Sequence, residues 1–228
     1  MITVITYLWG TKHYQPGHVQ QLARSVARWL SVPHRFVCVT SDAVPGVETM
    51  PNPVPGLTGR CYRRLWLFSK HAARRFGTEG ILHLDLDLVI CGPLGGFISA
   101  EDFRIYRAGS VAARGYSLNP SVCWLRPGTQ ADIWARYWKA PTKVAAAANA
   151  AGFWGSDQAV ISYFRQAVDV PTFGEADGLC SYRTIRHLGL TAPPEGTRIV
   201  SFHGKRSPYE REIQRAHPWI VEAWKEAA

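Results

Sequence analysis

The sequence predicts an α/β fold, a single domain in which helices flank a sheet, and three observations carry that prediction. Ile2 to Leu8 (ITVITYL) is a β-branched apolar run that reads as a buried first strand. His18 to Leu30 sets Val19, Leu22, Val26 and Leu30 at helical spacing. After Pro33, Arg35 to Thr40 (RFVCVT) reads as a strand again, so the chain opens as strand, loop, helix, strand, the pattern of a parallel sheet with helical crossovers. A length of 228 residues suits one such domain.

The remaining elements follow in order. Val44 to Gly59 is rich in Pro and Gly and reads as an irregular connection. Arg60 to Phe76 reads as one helix, with Leu65, Phe68, Ala72 and Phe76 on its apolar side. Arg60, Arg63, Arg64, Lys70, His71, Arg74 and Arg75 form its other stripe, either a solvated face or an attractor for an acidic acceptor or an anionic membrane. Ile81 to Ile90 (ILHLDLDLVI) is the clearest strand and ends at Gly92-Pro93. Phe103 to Ala113 and Ser121 to Leu125 fit short strands, Ala131 to Trp138 a helix, and the alanine-rich Val144 to Ala151 either helix or loop. Asp157 to Ala167 reads as a helix started by Ser156 or Asp157. Arg198 to His203 is a late strand, and Tyr209 to Ala227 one C-terminal helix that docks on the domain or touches a membrane.

Composition narrows the function. A net charge of +9 points to an anionic partner such as nucleotide phosphate, acidic glycolipid or a membrane surface. No helix-turn-helix, RNA-recognition or zinc-finger signature accompanies it, so no specific nucleic-acid partner is expected. The five cysteines include no CxxC pair and read as reduced thiols. With no signal-like segment and no apolar run near ~20 residues, a cytoplasmic location is the expectation.

The chemistry concentrates in Leu84-Asp85-Leu86-Asp87-Leu88. On a continuous strand His83, Asp85 and Asp87 share one face and the leucines the other. Two carboxylates ~7 Å apart on one face repel each other. A polar edge in water tolerates them; so does a bound cation, and carboxylate oxygens favour Mg²⁺ or Mn²⁺. The pair lies in the C-terminal half of its strand, where open α/β sheets place ligands.

At these residues the chain resembles a known family. ILHLDLDLVICGPL is similar to the DxD strand of GT-A glycosyltransferases, particularly the bacterial and phage relatives in family 8, the family of glycogenin and lipopolysaccharide galactosyltransferases. Tyr62-Arg63-Arg64-Leu65 resembles the family's Tyr-x-Arg-Leu, which implies that Arg64 lies near the sugar donor. Asn119-Pro120-Ser121-Val122 resembles the segment lining the sugar pocket, and Asp157-Gln158 the Asp-Gln pair beside the reacting sugar. Ser201 to Tyr209 (SFHGKRSPY) is similar to the closing HxxGxxKPW element. Each motif is weak alone; their order and spacing make the resemblance specific, and it covers most of the chain.

The resemblance implies a GT-A, Rossmann-like mixed sheet, with a nucleotide-binding half at about 1–92 and an acceptor-side half at about 93–228. It implies transfer of a hexose from a nucleotide sugar, with UDP as the nucleotide, to a glycan, lipid or protein acceptor with retention of configuration. Asp85 and Asp87 are the implied ligands of Mn²⁺ or Mg²⁺. Ser201 stands where the family has a metal-binding His, so His203, two residues on, is the expected third ligand. Ser207 replaces a phosphate-binding Lys, a charge that Lys205 or Arg206 can take over. The expected donor-binding set is Thr6, Tyr7, Trp9, Tyr14, Arg64, Leu86, Asn119, Ser121 and Lys205, with Asp157 and Gln158 as catalytic residues. Aromatic residues near a strand end also serve as plain core, and Asp157 also suits an N-cap. The two serine replacements fit a catalytically weak or inactive nucleotide-sugar-binding protein of the same fold as well. Asp85 to Val89 further satisfies the DxDx(T/V) pattern of haloacid-dehalogenase phosphohydrolases, but it follows about 80 residues of α/β chain rather than opening the domain.

Overall fold

A computed structural model describes residues 1–225 apart from Thr58, Arg60, Thr78, residues 108–116 and Lys205. Strand β1 (Ile2–Tyr7) is buried along its length, as apolar residues on both faces require. Helix α1 (Pro16–Trp29) turns Val19, Leu22 and Val26 inward. Strand β2 (His34–Val39) then runs parallel to β1 with Tyr7 opposite Val39. A short strand absent from the sequence reading, β3 (Glu48–Met50), emerges from the Pro- and Gly-rich connection and pairs in parallel with β2.

The helix expected over Arg60 to Phe76 is two pieces. Cys61–Phe68 is a 3₁₀ helix, and α2 (Lys70–Phe76) starts anew after Ser69. Ser69 has extended backbone, and its hydroxyl accepts the Ala72 N–H at 3.0 Å, satisfying a donor at the new helix end. The change of pitch takes Arg64 off the predicted basic stripe and buries it, while Lys70, His71, Arg74 and Arg75 stay exposed; Arg60 lies outside the described residues.

The strand expected over Ile81 to Ile90 also divides. Strand β4 (Ile81–Leu84) lies in parallel beside β1, the chain turns through Asp85 to Asp87, and β5 (Leu88–Ile90) enters a second sheet. Strands β6 (Phe103–Arg107) and β7 (Leu118–Leu125) follow, β7 antiparallel to both β4 and β6. Helices α3 (Ala131–Lys139), α4 (Pro141–Ala150) and α5 (Asp157–Arg165) come next, so the alanine-rich run is helical. Strands β8 (Thr172–Phe173) and β9 (Leu179–Ser181), helix α6 (Tyr182–His187) and strand β10 (Ile199–Ser201) complete the sheets. The late strand therefore ends before His203. The C-terminal helix is two, α7 (Arg211–Ala216) and α8 (Trp219–Lys225), separated at Pro218, which has no N–H to continue the ladder.

The main sheet has the order β3-β2-β1-β4-β7-β6-β8 and mixes parallel and antiparallel pairs; the small one is β5-β10-β9. One face of the main sheet packs Ile5, Ile81, Ile105 and Leu125 against Leu65, Phe68, Ile133 and Val160 of the overlying helices. The other packs Val4, Leu82, Leu84 and Trp124 with Val19, Leu22 and Val26 of α1 and with Leu88 and Ile90 of the small sheet. Beyond the small sheet, α6, α7 and α8 close a third cluster around Phe202, Ile213 and Ile220. Among the described residues, no helix is long and apolar enough to cross a membrane.

The entry into β4 is tight. Gly80 has φ 147, its carbonyl accepts the Thr3 N–H at 3.0 Å, and a Cβ there would run into the buried ring of Trp124. Gly80→Ala is expected to destabilise the fold by about 2 kcal/mol or more in urea unfolding; a change within the error of the measurement would contradict this packing.

Candidate active site

Parallel β1 and β4 end side by side, and the chain leaves β4 through Asp85-Leu86-Asp87. The acids sit in a turn between two sheets, which corrects the expectation that they alternate along one pleated strand. Main-chain bonds hold that turn: the Asp85 N–H donates to Ser121 O at 2.9 Å, and the Phe202 N–H to Asp87 O at 3.2 Å. The four leucines still face one side, which is why the break leaves no mark in the hydrophobic pattern.

Arg64 organises the acids. Its guanidinium pairs with Asp85 through Nη1 and with Asp157 through Nη2, 3.0 Å from Oδ1, and Nε, 2.7 Å from Oδ2. Asp157 is fully buried at the first residue of α5, and Ser156 Oγ donates to it at 2.8 Å. Its carboxylate therefore serves Arg64 rather than capping its own helix. Burial is the largest influence on Asp85 and would raise its pKa, but the charge and hydrogen bond of Arg64, with His83 and His203, together outweigh it and hold that carboxyl low. Asp87 receives less help. Burial and then the charge of Asp85 push it up to about 8, with Arg64 and Tyr14 offsetting only part.

Two histidines border the acids. His83 Nδ1 lies 2.6 Å from Pro120 O, which only accepts, so Nδ1 carries a proton. Its Nε2 is 3.6 Å from Asp85 Oδ1, and burial lowers its pKa. His203 lies beyond the end of β10, stacked on Tyr106 at 6.0 Å. Asn119 Oδ1 is taken by the Ser121 N–H at 2.9 Å, so its amide nitrogen faces His203 Nδ1 at 3.4 Å, which accepts and leaves the ring proton on Nε2. Burial, and after it the charge of Arg183, lowers the pKa of His203 to about 4.

A cleft of about 780 Å³ opens over the turn. Of the residues named from the sequence, Tyr7, Trp9, Tyr14, Arg64, Asp85, Leu86 and Asp87 line it. Tyr7 and Trp9 stack at 4.5 Å, and the Arg63 guanidinium lies over the Trp9 ring at 5.7 Å. Thr6, Asn119, Ser121, Asp157, Gln158 and His203 stand outside the lining. Thr6 is buried, with a hydroxyl that has no partner among the described residues. Ser121 Oγ meets Ser201 Oγ at 3.4 Å, so the serine in place of the family's histidine faces the core. Gln158 is half-buried against Gly155. Lys205 lies outside the described residues; Arg206 of the same segment lines the cleft and pairs with Glu210 at 3.4 Å.

Sequence reasoning missed Lys12, His13, His18, Cys61 and Glu210, all in the lining. Lys12 and His13 follow the end of β1, where clustered polar and aromatic residues in a loop were the available signal, and His18 lies in the first turn of α1.

The acids fit a hard cation. Asp87 Oδ1 is buried without a partner among the described residues, and Asp85 and Asp87 offer carboxylate oxygens beside an open cleft. The expected ligands do not form a ready cage, since no group of three His, Cys, Asp or Glu stands close enough to hold an ion among the described residues.

Neither a protein-family model nor a curated protein sequence matches the chain. Solved structures do. The glycosyltransferase GlyE of Streptococcus pneumoniae TIGR4 superposes over 100% of the chain with TM-score 0.67 at 12% identity, and the chain spans 63% of GlyE. The galactosyltransferase LgtC, solved with donor and acceptor sugar analogues, matches with TM-score 0.63 at 10% identity, covering 99% of this chain and 96% of LgtC. A glycosyltransferase involved in glycosylation of the major capsid of PBCV-1 gives TM-score 0.56 at 13% identity over 99% of this chain and 98% of its own.

The fold is the GT-A glycosyltransferase fold.

Within this GT-A fold, Arg64 joins the 3₁₀ helix to the start of α5 through a buried ion pair, and removing one partner strands the other. Arg64→Met is expected to cost about 3–5 kcal/mol in urea unfolding. The double variant with Asp157→Leu should lose less than the sum of the two single changes. Strict additivity would contradict the pairing.

Proposed function

We propose that this chain is a metal-dependent glycosyltransferase that moves a hexose from a nucleoside-diphosphate sugar, UDP being the nucleotide, to a glycan, lipid or protein acceptor with retention. The observation that carries the proposal is the unequal state of the two acids: Arg64 answers Asp85, and Asp87 faces the cleft as a carboxyl with no ion-pair partner among the described residues. The GT-A fold and the motif resemblance support the donor class, and the resemblance alone supports UDP and retention.

Asp85 and Asp87 would hold Mn²⁺ or Mg²⁺, and His203 would join them through Nε2 only as the tautomer with its proton on Nδ1, which forfeits the Asn119 contact. Bound there, the cation supplies Lewis-acid neutralisation of the charge that develops on the diphosphate as the sugar C1–O bond breaks. Arg64 keeps the Asp85 carboxylate ionised and aimed at the cleft, and Asp157 fixes Arg64 in turn. Arg206 brings positive charge to the cleft from the closing segment and stands in for the family's lysine. Tyr7 and Trp9 form an aromatic wall on which a base stacks. The motif resemblance alone supports a place for Asn119 and Gln158 beside the sugar, since both stand outside the lining of the cleft.

A screen of nucleotide sugars by thermal melting tests this reading. A UDP-sugar at about 100 times its dissociation constant should add about 2.7 kcal/mol of stability, and only with Mn²⁺ or Mg²⁺ present. Asp87→Asn should abolish that shift and lower donor hydrolysis by about 100-fold or more. No metal-dependent shift with any UDP-sugar would reject the donor assignment.

A further inference from the structure

We infer that Tyr209 is a positioning residue for the acid pair and acts through the backbone of the turn that carries it; the inference rests on the function proposed above. Besides its two main-chain bonds, the Asp85-Leu86-Asp87 turn has a third tether. Tyr209 Oη donates to Leu86 O at 3.0 Å, reaching across 123 residues of sequence to the carbonyl between the two acids. A carbonyl only accepts, so the hydroxyl proton is committed to Leu86 and is withheld from Asp87, whose charge the same hydroxyl senses.

The ring that carries this hydroxyl is itself held. His18 stacks on it at 3.6 Å and 7°, Trp224 at 5.0 Å and 17°, and Tyr14 meets it edge-on at 6.1 Å. Clamping the ring in advance lowers the entropy lost in keeping one hydrogen bond in place. Trp224 lies on α8, so the last helix reaches the acid turn through two aromatic rings. Each end of the turn is fixed by main chain, whereas its middle is fixed by this side chain. Releasing the middle lets the two carboxylates separate, which lowers affinity for the ion they share more than it alters the chemistry once the ion is bound.

The test is a manganese titration of the full chain with UDP present, read from the electron paramagnetic resonance of free Mn²⁺, alongside donor hydrolysis at saturating manganese. Tyr209→Phe keeps the ring and removes the hydroxyl. The manganese dissociation constant should rise roughly 3- to 10-fold, as expected for one lost hydrogen bond, and turnover at saturating manganese should fall by a smaller factor. Trp224→Leu should shift affinity in the same direction. Unchanged affinity in Tyr209→Phe, with binding abolished in Asp87→Asn, would overturn this inference and leave the proposed function standing. A wild type that binds no manganese, or an Asp87→Asn variant that binds it normally, would overturn both. Melting curves separate loss of turn geometry from loss of fold: turnover that falls only with the folded fraction, at unchanged affinity, counts against Tyr209.

Discussion

The guanidinium of Arg64 stands among three carboxylates, and the division of its charge shapes the site. Asp157, fully buried, takes two of its nitrogens, and Asp85, about a quarter exposed, takes another. Asp87 feels the same cation only at a distance, with Asp85 opposing it. Burying a carboxylate without compensation is costly, so the arrangement is stable in proportion to what else approaches Asp87. Two acids are ion-paired from within the protein, and the third faces the cleft.

The fold makes that division possible. Because β4 stops at Leu84 and β5 joins another sheet, the acids fall where the chain crosses between sheets, at the end of two parallel strands. The 3₁₀ helix brings Arg64 in from one side, and the first residue of α5 brings Asp157 from another. The segment after β10 closes over the turn with the Phe202 N–H on Asp87 O and Arg206 in the cleft. Residues from widely separated parts of the sequence are thereby locked around one three-residue turn.

Much of this was legible in the sequence. The acid pair, Arg64, and the aromatic residues Tyr7, Trp9 and Tyr14 were found from strand position and motif order, and all line the cleft. The α/β opening needed only the change from strand to helical periodicity between Ile2 and Thr40. The strand break was not legible, because the leucines keep their alternation across Asp85 to Asp87 and burial on one side does not report hydrogen-bond partners. The burial of Arg64 was hidden for a similar reason. A uniform helical pitch over 60–76 puts it among exposed basic residues, and the Ser69 cap that resets the pitch is a single small polar residue between an apolar stretch and Lys70-His71. His203 was placed by assuming that β10 continues; the strand ends at Ser201. Tyr209 gave no local sign of its bond to Leu86, since a contact between distant segments is a property of the folded chain.

The central claim is that the Asp85-Leu86-Asp87 turn is a cation site with its counter-charge left to a ligand. The most direct measurement is anomalous diffraction from crystals soaked with manganese and UDP. The account predicts one anomalous peak between the carboxylates of Asp85 and Asp87 and the diphosphate, with Arg64 still on Asp157. A bound nucleotide with no ion at that position, or carboxylates turned away to solvent, would contradict it.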